Sequence, residues 1–187
     1  TTVRGKRQRK CFEAYLRSLL ENEPTVDIDG SYLKMPCDRF NTLYFLQHCH
    51  RHFLREGITL RYICDWAMIL QRADCFDSDF WNECEKNDLR PFAESMTRLA
   101  YVVCGVKAPW MSGDVLLQIQ DKMLLDDCFR IADNAIKYGN SLKAHIQMVK
   151  NMLGMRWKYK YFSQRSMEIE LISSVWSNWM EKEPKIN

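Results

Sequence analysis

The stretch RFNTLYFLQHCHRHFLREGITLRYICDWAMILQ, residues 39–71, decides the fold reading. Phe40, Leu43, Tyr44, Leu46 and Phe53 recur at spacings near three and four, the period of a helix with one apolar stripe. Gly57 ends that helix, because glycine enters the left-handed region without a Cβ clash. Thr59 is placed to cap a second helix, whose apolar positions are Leu60, Ile63, Cys64, Ala67 and Met68. His48 and His52, four apart, share a face of the first helix, and Arg61 and Asp65, also four apart, share a face of the second. These four are the candidate site residues. The expectation is a polar cluster in which they satisfy one another, with Arg61–Asp65 as a charge-assisted pair, since polar groups tolerate burial only when hydrogen-bonded.

Working outward, 187 residues with 47% apolar and 12% aromatic content suffice for a packed core and exclude wholesale disorder. A formal charge of +3 demands no polyanionic partner, so nucleic acid is not an expected one. Seven Gly and five Pro, with few Val/Ile/Thr alternations, favour helices over sheets. The fold class expected is all-α, a multi-helix bundle with one small β-hairpin near residues 25–35. No two of the eight cysteines form a CxxC, which excludes a zinc ribbon and a thioredoxin motif. Cysteines scattered over apolar helix faces read as reduced thiols, hence a cytoplasmic setting, and no apolar run is long enough to cross a bilayer. A first residue that is Thr rather than Met suggests that upstream residues are missing.

Residues 1–10 (TTVRGKRQRK) are basic; a solvated lead-in to a first helix over 7–22 is preferred to a phosphate-binding run. In that helix Phe12, Tyr15, Leu16, Leu19 and Leu20 face inward. TVDIDGSYLKMP then fits a hairpin turning at Asp29-Gly30. Asp27 and Asp29 form a D-x-D that could hold Mg²⁺, but no Gly-rich turn precedes it to cradle phosphates, so a polar turn is preferred. Asp77 or Ser78 caps a short helix, Pro91 opens the next and Gly105 closes it. Leu116 to Tyr138 returns to helix with a break near Asp126-Asp127. Residues 141–162 form a helix bearing Lys143, Lys150, Arg156, Lys158 and Lys160, and a last helix carries Ile169, Ile172, Trp176 and Trp179 as core anchors.

Paired His48 and His52 have zinc-ligand spacing, with Cys64 or Asp65 as a conceivable third ligand, but Cys49 stands where HExxH needs its glutamate. The polar cluster is therefore preferred to a metal site. No G-x-S-x-G, P-loop or G-x-G-x-x-G occurs, and the chain holds no self-sufficient catalytic constellation.

The same stretch resembles the central signature of an uncharacterised bacterial nucleotidyltransferase family of the DNA polymerase β-like superfamily. That signature is an apolar helix with H-x-x-x-H-F, an E-G-I/V turn, then L-R-x-x-x-D-W/Y. The matching residues are His48, His52, Phe53, Glu56-Gly57-Ile58, Leu60-Arg61, Asp65 and Trp66. RWKYKYFSQRS and VWSNWM resemble the family's closing pattern more loosely. Members place a catalytic palm N-terminally, with a Gly-Ser turn, a D-x-D and a third carboxylate that hold Mg²⁺ and a nucleoside triphosphate. No such palm is identifiable, and Asp27/Asp29 lie too close to the signature to be that D-x-D. The resemblance thus implies the helical, substrate-side part of a nucleotidyltransferase-like protein, catalytically incomplete as this chain. It implies no cofactor in the chain itself, with Mg²⁺ and a nucleoside triphosphate belonging to a full-length enzyme. The implied partners are a missing N-terminal palm, or its equivalent, and an unknown acceptor; no membrane partner is implied. Residues 1–35 would be the remnant of the link to that palm and 36–187 the helical domain. Arg61 becomes a candidate for phosphate or acidic-substrate contact, oriented by Asp65, with His48 and His52 lining the same wall. The alternative from another class is a helical protein–protein interaction module without enzymatic activity.

Overall fold

The computed structural model describes residues 3–21, 23, 25–130, 153–163 and 167. Their elements in order are α1 (Val3–Glu21), β1 (Thr25–Ile28), β2 (Ser31–Lys34), α2 (Asp38–Arg55), α3 (Leu60–Arg72), α4 (Ser78–Lys86), α5 (Arg90–Cys104), α6 (Ile119–Arg130) and α7 (Arg156–Phe162). The chain is mostly helical with one small antiparallel hairpin, as its composition and periodicity lead one to expect.

The boundaries follow from local chemistry. Gly57 takes a φ of 97° and its N–H, with that of Glu56, bonds the His52 carbonyl, closing α2. Gly105 closes α5 at φ 70° in the same left-handed region. Asp77 caps α4 by accepting the Phe80 N–H at 2.9 Å. Thr59 occupies the cap position of α3, but its side chain makes no capping bond. β1 and β2 pair Val26 with Leu33 and Asp27 with Tyr32, and turn through Asp29 (φ 51°) and Gly30 (φ 81°). Two successive positive φ values make the primed turn that matches strand twist.

α5 is the central strut: α3 packs along it most extensively, and α2, α4, α6 and α7 also touch it. Phe53 of α2, Phe92 of α5 and Phe162 of α7 meet with ring centres 5.2–6.1 Å apart. Phe45 stacks on Trp66, whose indole N–H donates to Thr97 Oγ1 at 3.0 Å, tying α3 to α5. Each such fully buried aromatic contributes about 1.5–3 kcal/mol from area removed from water. Phe12 and Leu16 of α1 join the same core.

Three expectations need correction. α6 runs unbroken through Asp126-Asp127, because Asp127 has a partner in Lys158 and so need not leave the helix for water. The buried stripe of α3 is Ile63, Trp66, Ala67 and Leu70, whereas Cys64 and Met68 are exposed. α3 packs along α5 and also meets α6, while Phe45 of α2 stacks on Trp66, and that geometry turns Trp66 inward. Tyr44 of α2 is 52% exposed rather than in the core. Most of the expected 141–162 helix and the Trp176/Trp179 helix lie outside the described residues.

Candidate functional site

The helical period that buries Leu43, Leu46, Cys49 and Phe53 puts a second row on the outer face of α2. Phe40, Tyr44, His48 and His52 follow one another at four-residue steps, with ring centres 5.9, 6.2 and 4.5 Å apart along the row. Tyr62 of α3 extends it, 6.5 Å from the His52 ring and 6.4 Å from that of Phe45. The Gly57 turn is the reason α3 returns beside α2 and sets Tyr62 against His52. His48, Arg51 and Arg55 are exposed, and His52 and Arg55 stand in the last turn of α2.

Arg61 and Asp65 sit at the edge of this wall. Their ion pair has Nε and Oδ2 3.7 Å apart, with side chains 85% and 47% exposed. The Asp65 carboxylate also lies close to the buried Cys49, whose thiol is pushed up to about 12 first by burial and then by that charge. His52 Nδ1 pairs with Glu56 Oε1, one turn on. The His48 imidazole is held below its ordinary range, chiefly by partial desolvation and then by the charges of His52 and Arg51. The His48 imidazole therefore resists protonation unless an anion joins it.

The expected buried cluster of four does not form. His52 bonds Glu56, Arg61 forms only a loose ion pair with Asp65, and the two pairs are separate and water-exposed. The physical reason is the same rotation that turns Trp66 inward: it points Arg61, five residues earlier, to solvent. Pairs of this kind contribute about 0.3–0.5 kcal/mol. Among the described residues no three His, Cys, Asp or Glu side chains are arranged to hold a metal ion. Asp27 Oδ1 accepts the Gly30 N–H at 2.8 Å, and Asp29 occupies the turn, so the D-x-D serves the hairpin.

The buried polar groups are elsewhere, and the sequence reading missed them. The Lys158 ammonium is wholly enclosed; it donates to the Phe53 carbonyl at 3.0 Å and to Asp127 Oδ2 at 2.5 Å, and lies 4.7 Å from the centre of the Phe53 ring. A cation there also faces the negative end of the α2 dipole. His50 Nε2 meets the Phe162 carbonyl at 2.7 Å. Asp121 accepts from Ser95 Oγ (2.5 Å), Arg98 Nε (2.7 Å), Arg98 Nη2 (3.0 Å) and the Gln118 N–H (2.8 Å). The one sequence signal for Lys158 is its place four residues before Phe162 on an aromatic-rich helix, a position on the inward face. These groups brace α2, α5, α6 and α7 behind the wall rather than open to a ligand.

What the wall offers is exposed aromatic faces beside exposed cations, an arrangement able to stack a planar group and to hold an anionic one. No curated protein and no solved structure shows significant similarity to the chain. Residues 5–105, more than half of its length, match a family model described as an uncharacterised nucleotidyltransferase, and on that match the chain belongs to this family.

Proposed function

We propose that this chain supplies the helical, acceptor-side part of a nucleotidyl-transfer protein, with the α2–α3 wall as the surface that holds the acceptor. The observation that carries it is the row Tyr44, His48, His52 and Tyr62 flanked by exposed Arg51, Arg55 and Arg61. Family membership supports nucleotidyl transfer as the reaction class. In that reaction an acceptor oxygen attacks the α-phosphorus of a nucleoside triphosphate and pyrophosphate leaves. Catalysis of such steps rests on positioning and on neutralising charge. Arg61, His48 and His52 would contact a phosphate or carboxylate of the acceptor, and Tyr44 and Tyr62 would stack its planar part. Asp65 keeps Arg61 extended along α3. The described residues do not bring carboxylates together in a way that fits Mg²⁺, and the wall's part is confined to binding and orientation.

The test is calorimetric titration of the chain with nucleoside triphosphates and with inorganic phosphate, each with and without Mg²⁺. Binding that does not depend on Mg²⁺ and is lost in Arg61→Ala and His52→Ala supports the wall as an anion contact. Binding unchanged in both variants removes the wall from the reading.

A second reading, a helical interaction module without enzymatic activity, draws on the hairpin. Val26, Ile28, Tyr32, Leu33 and Met35 are all exposed, on both faces of the two strands. An apolar, uncovered two-stranded edge is a ready surface for another chain. Trp110 gives it less support, because it packs against Phe76 and Trp81 with ring centres 4.7 and 5.4 Å away.

A further inference from the structure

Four of the eight cysteines are buried: Cys49, Cys75, Cys84 and Cys128. Burial pushes all four thiols up, those of Cys49 and Cys128 to about 12, so they stay protonated and inert. Cys64 and Cys104 differ. Both are exposed, they lie 40 residues apart in sequence, and their sulfurs are 3.9 Å from each other, with the Cys104 thiol directed at Cys64. Cys64 projects from the second turn of α3 and Cys104 is the last residue of α5, the two helices that pack most extensively on one another. The Gly105 terminator follows immediately, so the end of α5 can adjust without breaking a helical bond.

We propose that Cys64 and Cys104 form a redox modification site that closes to a reversible disulfide and staples α3 to the end of α5. The oxidant class is a low-molecular-weight disulfide. Cys64, as thiolate, attacks one sulfur of that disulfide, giving a Cys64 mixed disulfide and releasing one small thiol. Cys104 then gives its proton to water and attacks the Cys64 sulfur, forming the Cys64–Cys104 bond and releasing the second small thiol. Two protein thiols are oxidised and one small disulfide is reduced to two thiols, so electrons and atoms balance. Partial burial, and then the contact with Cys64, push the Cys104 thiol up, which suits it to the second, resolving step. The inference stands on the sulfur pair alone and is independent of what the α2–α3 wall binds.

The test uses the intact chain, incubated under native conditions with oxidised glutathione, blocked with an alkylating agent and digested with trypsin. Cleavage isolates Cys64 in residues 62–72 and Cys104 in residues 99–107, each as the sole cysteine of its peptide. The expected result is a peptide pair 62–72/99–107 joined by a disulfide, resolved by reductant, with a Tm about 5–15 °C above that of the reduced chain. In Cys104→Ser the pair is lost and Cys64 retains one glutathione. Recovery of Cys64 and Cys104 as separate glutathione adducts, as unmodified thiols or in pairs with other cysteines would overturn the proposal. A 62–72/99–107 pair with no rise in Tm would overturn the staple.

Discussion

Asp121→Ala is the sharpest perturbation of the bracing behind the wall. Asp121 is wholly buried and receives four hydrogen bonds, two of them from Arg98, whose side chain is itself only 17% exposed. Truncating the carboxylate leaves a largely enclosed guanidinium without its counter-charge and takes away the acceptor of the buried Ser95 hydroxyl proton. Breaking one side of a buried pair in this way costs about 3–5 kcal/mol. For a chain of this size that lowers Tm by about 6–20 °C. Arg98→Met alone strands the carboxylate and costs a comparable amount. The double variant Arg98→Met/Asp121→Ala removes both charges, so its cost falls well below the sum, and the difference measures the coupling. Urea unfolding followed by far-ultraviolet circular dichroism reads the free energies, with the slope in urea unchanged if the native fold is intact. A loss below about 1 kcal/mol for Asp121→Ala, or strict additivity in the double variant, would refute the claim that this pair joins α5 to α6.

Further outcomes follow from the same structure. Lys158→Ala should cost about 3–5 kcal/mol in the same assay, because it leaves Asp127 and the end of α2 without their cation; a neutral result would remove Lys158 from the core. The Asp77 carboxylate is held below its ordinary range by the Phe80 N–H and then by Arg39, 2.5 Å away, so its stabilisation is present above about pH 3.9 and is lost as pH falls through the folded value. Asp77→Asn should therefore make Tm fall less steeply with acid, and an unchanged acid limb would contradict the cap. His48 titrates below the ordinary imidazole value of about 6.5, so its share of stability is complete above that pH and declines as pH falls through the folded value. Proton NMR should find the His48 midpoint under 6.5 in dilute buffer and raised by bound phosphate. A midpoint at or above the ordinary value without any anion would contradict both its partial desolvation and the fields of His52 and Arg51.

The hairpin and the helix ends were legible because each is set by a handful of neighbouring residues. Asp29-Gly30, Gly57, Pro91 and Gly105 impose backbone angles that no distant contact must supply. The apolar stripe of α2 was legible for Leu43, Leu46 and Phe53 on the same ground of period. His48, His52, Arg61 and Asp65 were identifiable as a polar set on two successive helices, but their separation into two exposed pairs was not. Helical spacing tells which residues share a face, not which face another helix will cover.

That choice belonged to the tertiary structure. α3 packs along α5, with Phe45 of α2 stacked on Trp66, so Trp66 goes inward, Arg61 goes to water, and Cys64 comes to lie 3.9 Å from Cys104. Lys158 reads in sequence as one more charge in a basic helix. It becomes a buried cation only because α7 docks against the end of α2, where the Phe53 carbonyl and Asp127 replace the water it loses. Arg98 and Asp121 are separated by a loop of no evident pattern, and only the docking of α6 on α5 makes them a pair. Local sequence set where each helix starts and stops, because those boundaries are settled by hydrogen bonds within a few residues. Packing between helices far apart in the chain set which polar groups are enclosed, because the cost of enclosing them is met only by partners that the fold brings in.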